Sequence, residues 1–74
     1  MAGRKLRDVS GARAVKAFEK AGFLVDRIRG SHYILKKAGF RPIAIPMHGT
    51  VKTGLLLAKI KEAGLTVDEF EDLL

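Results

Sequence analysis

The chain contains no cysteine and no tryptophan, only two prolines, and no long apolar run. Without cysteine it can form neither a disulfide framework nor a thiolate nucleophile, and this composition fits a reducing compartment. Its longest uninterrupted apolar run, Leu55 to Ala58, is far too short to span a bilayer. The opening residues, MAGRKLRDVS, are basic and polar and do not resemble a hydrophobic signal segment. We therefore expect a cytoplasmic protein that does not enter a membrane.

Signatures of cofactor and metal binding are also missing from the sequence. There is no glycine-rich phosphate loop, no Gly-x-Ser-x-Gly motif and no closely spaced histidine pair. The carboxylates of the second half cluster near its end, away from most of the basic residues, which does not suit a metal-dependent nuclease. We expect no cofactor and no metal. Catalysis, if present, should rely on His32 or His48, because an imidazole can exchange a proton at cellular pH.

Acidic residues are scarce in the first half of the chain. The 74 residues carry a formal net charge of +6, and residues 1–37 hold ten Lys or Arg against three Asp or Glu. An ordinary solvated face explains such basicity in many proteins. The leading specific explanation is a polyanionic partner such as RNA.

The remaining pattern predicts one small α+β domain over residues 1–74, with residues 1–9 as a flexible arm. Ser10 is a candidate N-cap for an amphipathic helix, and three strands follow, of which the proline-containing FRPIAIPM should lie at an edge. Thr53 is the candidate N-cap of a second helix, and Thr66 starts a short acidic one. The simplest arrangement is a three-stranded antiparallel sheet packed on one face by two helices, in the order α-β-β-β-α.

The stretch RIRGSHYILKK holds the most suggestive group of residues. Gly30 and Ser31 read as a turn, and His32 begins a strand in which positions 32, 34 and 36 share one face. If the helices cover the Ile34 face, His32 lies at the rim of the buried side. The cations nearest in sequence are Arg27, Arg29, Lys36 and Lys37.

These residue types suit RNA cleavage because RNA carries its own nucleophile, the 2′-OH. A histidine that moves the proton and nearby cations that stabilise the charged transition state would suffice. Spacing alone leaves alternatives open, since a strand histidine is more often a hydrogen-bonded surface residue than a catalytic one. His48 could approach the start of the second strand or lie at the opposite end, depending on strand register.

Several segments, taken in order, resemble the HicA family of small ribonuclease toxins. They are FEKAGF, RGSHYILKK, IAIPMHGT and TGLLLAKIKEAGLTVDEF, and together they run from about Ser10 to Phe70. Members often have a Pro-Gly-Thr-like start to the second long helix. This chain has Thr53-Gly54-Leu55 there, which should alter the helix cap and leave the active site untouched.

The resemblance implies a fold like the double-stranded RNA-binding domain and an mRNA-cleaving activity that blocks translation. It implies a catalytic role for His32, with Gly30 and Ser31 as motif companions, and neutralisation by a HicB-type antitoxin. His48, Arg27, Arg29, Lys36 and Lys37 are the expected RNA contacts. We expect a monomer that joins a hetero-oligomer with its antitoxin. The alternatives are a non-catalytic double-stranded RNA-binding module and a protein-interaction module that uses the acidic terminal helix.

Overall fold

The chain folds into short strands and three helices, which the computed structural model describes for residues 6–74. In chain order they are β1 (Val9–Ser10), α1 (Gly11–Lys20), β2 (Leu24–Arg29), β3 (His32–Lys36), β4 (Ile43–Pro46), β5 (Thr50–Val51), α2 (Thr53–Glu62) and α3 (Val67–Leu73). β2, β3 and β4 form an antiparallel sheet in that order, and β1 pairs with β5 separately. The predicted α+β class is confirmed, as is the edge position of the proline-containing strand. The β1–β5 pair was not predicted.

Local sequence determines where α1 and α3 begin. The Ser10 hydroxyl accepts a hydrogen bond from the Arg13 N–H at 3.2 Å, as expected of an N-cap. Thr66 and Glu69 form a capping box, in which each side chain accepts from the other residue's backbone N–H. Phe70 then joins α3 to α1, since its ring centroid lies 5.0 Å from that of Phe18. No helix within residues 6–74 is long and apolar enough to cross a membrane.

The α2 helix is capped by a residue distant in sequence. Lys52, rather than the predicted Thr53, occupies the N-cap position, and its side chain makes no capping hydrogen bond. Instead the Asp8 carboxylate accepts a hydrogen bond from the Thr53 N–H at 2.8 Å. A negative charge at a helix N-terminus also interacts favourably with the helix dipole. Sequence inspection missed this cap because it looks for capping residues next to the helix they cap.

Residues 6–9, the end of the expected flexible arm, pack against the rest of the protein. Residues 1–5 lie outside the described part of the chain. Leu6 packs against the hydrophobic core, and Val9 is buried and pairs with Val51 in the β1–β5 sheet. Together with the Asp8 cap, these contacts fix residues 6–9 to the body of the protein.

Replacing Asp8 by alanine should lower the free energy of unfolding by about 1 kcal/mol, the usual cost of losing an N-cap. The measurement is urea denaturation followed by circular dichroism. Asp8→Asn is the matched control, because its amide oxygen can still accept from Thr53, and it should lose less than half as much. Equal stability of Asp8→Ala and the parent would show that this cap contributes nothing.

The helices cover one face of the three-stranded sheet, and it is not the face of Ile34. Leu35, Ile43 and Ile45 are fully buried in a core shared with α1, α2 and α3. Because side chains alternate along a strand, His32 and Ile34 lie on the opposite, open face. The condition under which His32 would lie at the rim of the buried side is therefore not met. His32 is exposed on the open face of the sheet.

Candidate active site

A two-residue turn fixes the position of His32. Arg29 and His32 are paired residues at the ends of β2 and β3, with only Gly30 and Ser31 between them. Gly30 has φ of 59°, and no residue other than glycine takes positive φ within residues 6–74. Positive φ at the first central residue alone is typical of a type II′ turn, which matches the twist of a hairpin. The motif Gly30-Ser31 thus serves to set Arg29 directly across from His32.

His32 lies in the middle of a row of three side chains. Its cross-strand neighbours on the open face are Arg29 in β2 and Pro46 in β4. Side chains opposite each other in antiparallel strands have Cβ atoms about 4.5–5.5 Å apart. Both His32 and Arg29 are exposed. The row therefore places an imidazole and a guanidinium side by side on an uncovered surface.

Strand register brings His48 to the same end of the sheet as His32. The Met47 N–H donates to the Ser31 carbonyl at 2.8 Å, which ties the end of β4 to the hairpin turn. One residue beyond His48, the Gly49 carbonyl accepts from the Gly11 N–H at 3.2 Å. The loop carrying His48 is therefore held on both sides. Of the two positions that the sequence left open for His48, the structure shows the one near the start of β3.

Gly11 is a residue of this region that sequence reasoning missed. A Cβ atom at this position would overlap the Pro46 carbonyl oxygen and lie 2.8 Å from the Met47 Cα. Only glycine allows the start of α1 to approach β4 this closely. Nothing local in the sequence marks this contact, because it joins segments that are 35 positions apart.

The comparisons with known proteins identify the family. A family model described as the HicA toxin of bacterial toxin-antitoxin matches residues 11–65, about three quarters of the chain. The chain belongs to the HicA toxin family. It is accordingly a toxin of a toxin–antitoxin system, and the family implies an antitoxin partner. Comparison with curated proteins and with solved structures gives no match.

The hairpin of β2 and β3 lies entirely within the residues that match the HicA family. Two of its expected RNA-binding cations, Arg27 and Lys36, pair with the same carboxylate, that of Asp26. Asp26 Oδ2 lies 3.1 Å from Arg27 Nε and 3.6 Å from Lys36 Nζ. The hydrogen bond from Arg27 lowers the pKa of Asp26; desolvation opposes this effect, and the charge of Lys36 adds to the lowering. Arg27 and Lys36 remain exposed, but their charge is partly neutralised.

Lys37, an expected RNA contact that directly follows β3, makes its contacts within the fold. Its ammonium donates to the Ala21 carbonyl at 2.9 Å, where it caps the C-terminus of α1. The same nitrogen lies 4.9 Å from the centroid of the Phe40 ring and 5.7 Å from that of Phe23. These contacts hold Lys37 away from the open face.

The HicA-family residues thus separate into two ends of the sheet. His32, Arg29 and His48 lie at the end with the hairpin turn, and Lys36 and Asp26 lie at the other. Among the described residues, no three His, Asp or Glu side chains gather closely enough to hold a metal ion. The histidine end combines a proton-exchanging group with a neighbouring permanent cation on an open surface, an arrangement suited to a phosphodiester of RNA.

Proposed function

We propose that this toxin is an endoribonuclease that cleaves mRNA through acid–base catalysis by His32 and so blocks translation. The observation that best supports the proposal is the exposed pairing of His32 with Arg29 on the uncovered face of the sheet. A catalytic imidazole must be accessible to a large polymer, and this face is open. The basic first half of the chain supplies attraction for the polyanion.

The reaction uses the substrate's own 2′-OH as the nucleophile. His32, acting as a base, removes the 2′ proton while the 2′ oxygen attacks the adjacent phosphorus. The bond to the 5′ oxygen breaks, and that oxygen takes up a proton to leave as a 5′-OH. The other product ends in a 2′,3′-cyclic phosphate. Arg29 binds the non-bridging oxygens, whose negative charge grows in the transition state, and His48 contacts the substrate nearby.

The contacts of Arg29 and Lys37 predict opposite consequences for two loss-of-charge variants. Arg29→Ala should reduce RNA cleavage at least about tenfold, equivalent to about 1.4 kcal/mol of transition-state stabilisation, and leave stability nearly unchanged. Lys37→Ala should lower the free energy of unfolding by about 1–2 kcal/mol, since it loses a charged hydrogen bond and cation–π contacts. Its cleavage rate, measured well below its melting temperature, should stay within threefold of the parent rate. The reverse pattern would contradict this assignment of the two cations.

The second candidate function is a non-catalytic module that binds double-stranded RNA, which the basic half of the chain favours. Incubation of the purified protein with labelled single-stranded and duplex RNA separates the two candidates. Cleavage of the single strand, visible as discrete shorter products, supports the ribonuclease. Intact RNA in both samples, with duplex binding that falls steeply as salt increases, supports the binding module.

The proposed function also specifies the type of antitoxin and the substrate. The antitoxin that the family implies is of the HicB type, and the substrate is mRNA in the cytoplasm, where translation takes place. Such a partner must keep RNA away from the His32 row.

A further inference from the structure

A groove of about 550 Å³ opens at the end of the sheet opposite to His32. Its walls are mainly apolar and come from Leu24, Val25, Phe40 and Pro42, with Asp26 and Lys36 at its polar side. Lys36 is four residues from His32 along β3, a separation of about 13 Å for an extended strand. The groove is therefore distinct from the candidate active site.

Two large exposed apolar side chains line this groove. They are Leu24 at 72% and Phe40 at 38% exposure, among four large hydrophobic side chains that are exposed within residues 6–74. The third, Ile28, pairs with Tyr33 near the hairpin turn, outside the groove. The fourth, Leu55, lies on α2. Grouped exposed apolar residues on a small protein usually mark a surface that a protein partner covers.

The charges at the groove disfavour RNA as its occupant. The Asp26 carboxylate would repel a phosphate, and it already pairs with Lys36. The Lys37 ammonium, also at the groove, is bound to the Ala21 carbonyl. The cation best placed for phosphate, Arg29, lies at the other end of the sheet, beside His32.

We propose that the antitoxin anchors in this groove, by placing an apolar side chain against Leu24 and Phe40. Outside the groove, the antitoxin surface that covers the open face carries net negative charge, complementary to a toxin with a formal charge of +6. Binding energy in protein interfaces concentrates in a few well-packed apolar anchors of this kind. The inference rests on the antitoxin that the family implies and does not depend on the cleavage chemistry.

An antitoxin anchored in the groove could also inhibit the candidate active site at the other end of the sheet. A standard interface covers about 800 Å² on each partner, which is ample to extend from the groove across the open face to a row about 13 Å away. The antitoxin then gains its affinity at Leu24 and blocks RNA by covering His32. Affinity and inhibition depend on different toxin residues.

Calorimetric titration of the purified toxin with its purified cognate antitoxin tests the proposal. Leu24→Asp and Leu24→Lys should each weaken binding at least about 30-fold, the factor that corresponds to a 2 kcal/mol hot spot. Leu55→Asp is the matched control, because it places the same charge on an exposed leucine of α2, and it should stay within threefold of the parent. Leu24 is so exposed that all variants should keep the parent's circular dichroism spectrum.

Three results would overturn the proposal. Parent-like affinity of both Leu24 variants would show that the groove is not the anchor. If one Leu24 variant bound the antitoxin more tightly than the parent and the other bound it more weakly, the groove would recognise charge rather than an apolar surface. Intact antitoxin binding, combined with weakened RNA binding in a separate titration with RNA, would assign the groove to RNA. Since the antitoxin titration contains no RNA, failure of the ribonuclease proposal would leave its result unaffected.

Discussion

Replacing His32 by alanine should reduce RNA cleavage by about 100- to 10,000-fold, the range expected when a general acid–base group is lost. Expression of the variant should no longer arrest the growth of bacterial cells. The fold should survive, because His32 is exposed and the structure gives it no side-chain hydrogen bond within residues 6–74. We expect the free energy of unfolding to change by no more than about 0.5 kcal/mol, as for most surface substitutions.

His48→Ala is the matched control for this experiment, since it removes an imidazole at the same end of the sheet. It should weaken RNA binding and reduce cleavage by less than the His32 variant does. Cleavage measured on single-stranded RNA, with melting curves for each variant, gives both quantities. An active His32→Ala protein would remove His32 from the mechanism.

Replacing Gly11 by alanine should produce the largest loss of stability among the variants considered. The added methyl group would overlap the Pro46 carbonyl and press on the Met47 backbone, neither of which can rotate away as a side chain could. Overpacking against a well-packed structure costs about 1–3 kcal/mol and occasionally more, and we expect the upper end of that range. For a domain of this size, a loss of about 3 kcal/mol lowers the melting temperature by at least about 10 °C.

Gly54→Ala is the matched control, because Gly54 also lies in the first turn of a helix and has nothing within 4 Å of an added Cβ. It should be neutral or stabilising by up to about 1 kcal/mol, since alanine is the better helix former. The melting temperature of Gly11→Ala should therefore lie well below that of the parent, whereas that of Gly54→Ala should equal or exceed it. Similar values for both variants would show that α1 can shift away from β4 without cost.

Features encoded by neighbouring residues were predictable from the sequence. The cap at Ser10 depends on a contact three residues away and is present as predicted. The last helix begins at Thr66 as predicted, and the Thr66 hydroxyl accepts from the Glu69 N–H, also three residues away. The three-stranded sheet follows from alternation and from the turn glycines, of which Gly30 is the one that orients the candidate site. The family motif Gly30-Ser31-His32 could also be recognised in the sequence, because its three residues are contiguous.

Features that depend on distant residues were not predictable. Alternation shows that His32 and Ile34 share a face, but both Ile34 and Leu35 are apolar, so it cannot tell which face the helices cover. The hydrogen bond from Lys37 to the Ala21 carbonyl could not be predicted either, because this acceptor is a backbone atom that no sequence motif indicates. The contact of Gly11 with β4 and the cap that Asp8 provides for α2 were missed for the same reason, because each joins residues that are far apart in the sequence.

RNA cleavage by His32 through the substrate's 2′-OH can be tested directly by incubating the purified toxin with an end-labelled single-stranded RNA in excess EDTA and analysing the product ends. We expect cleavage that yields 2′,3′-cyclic phosphate and 5′-OH ends, and none when the nucleotide before the cleaved bond is 2′-deoxy. Cleavage that requires added Mg²⁺, or that proceeds at the 2′-deoxy position, would contradict it.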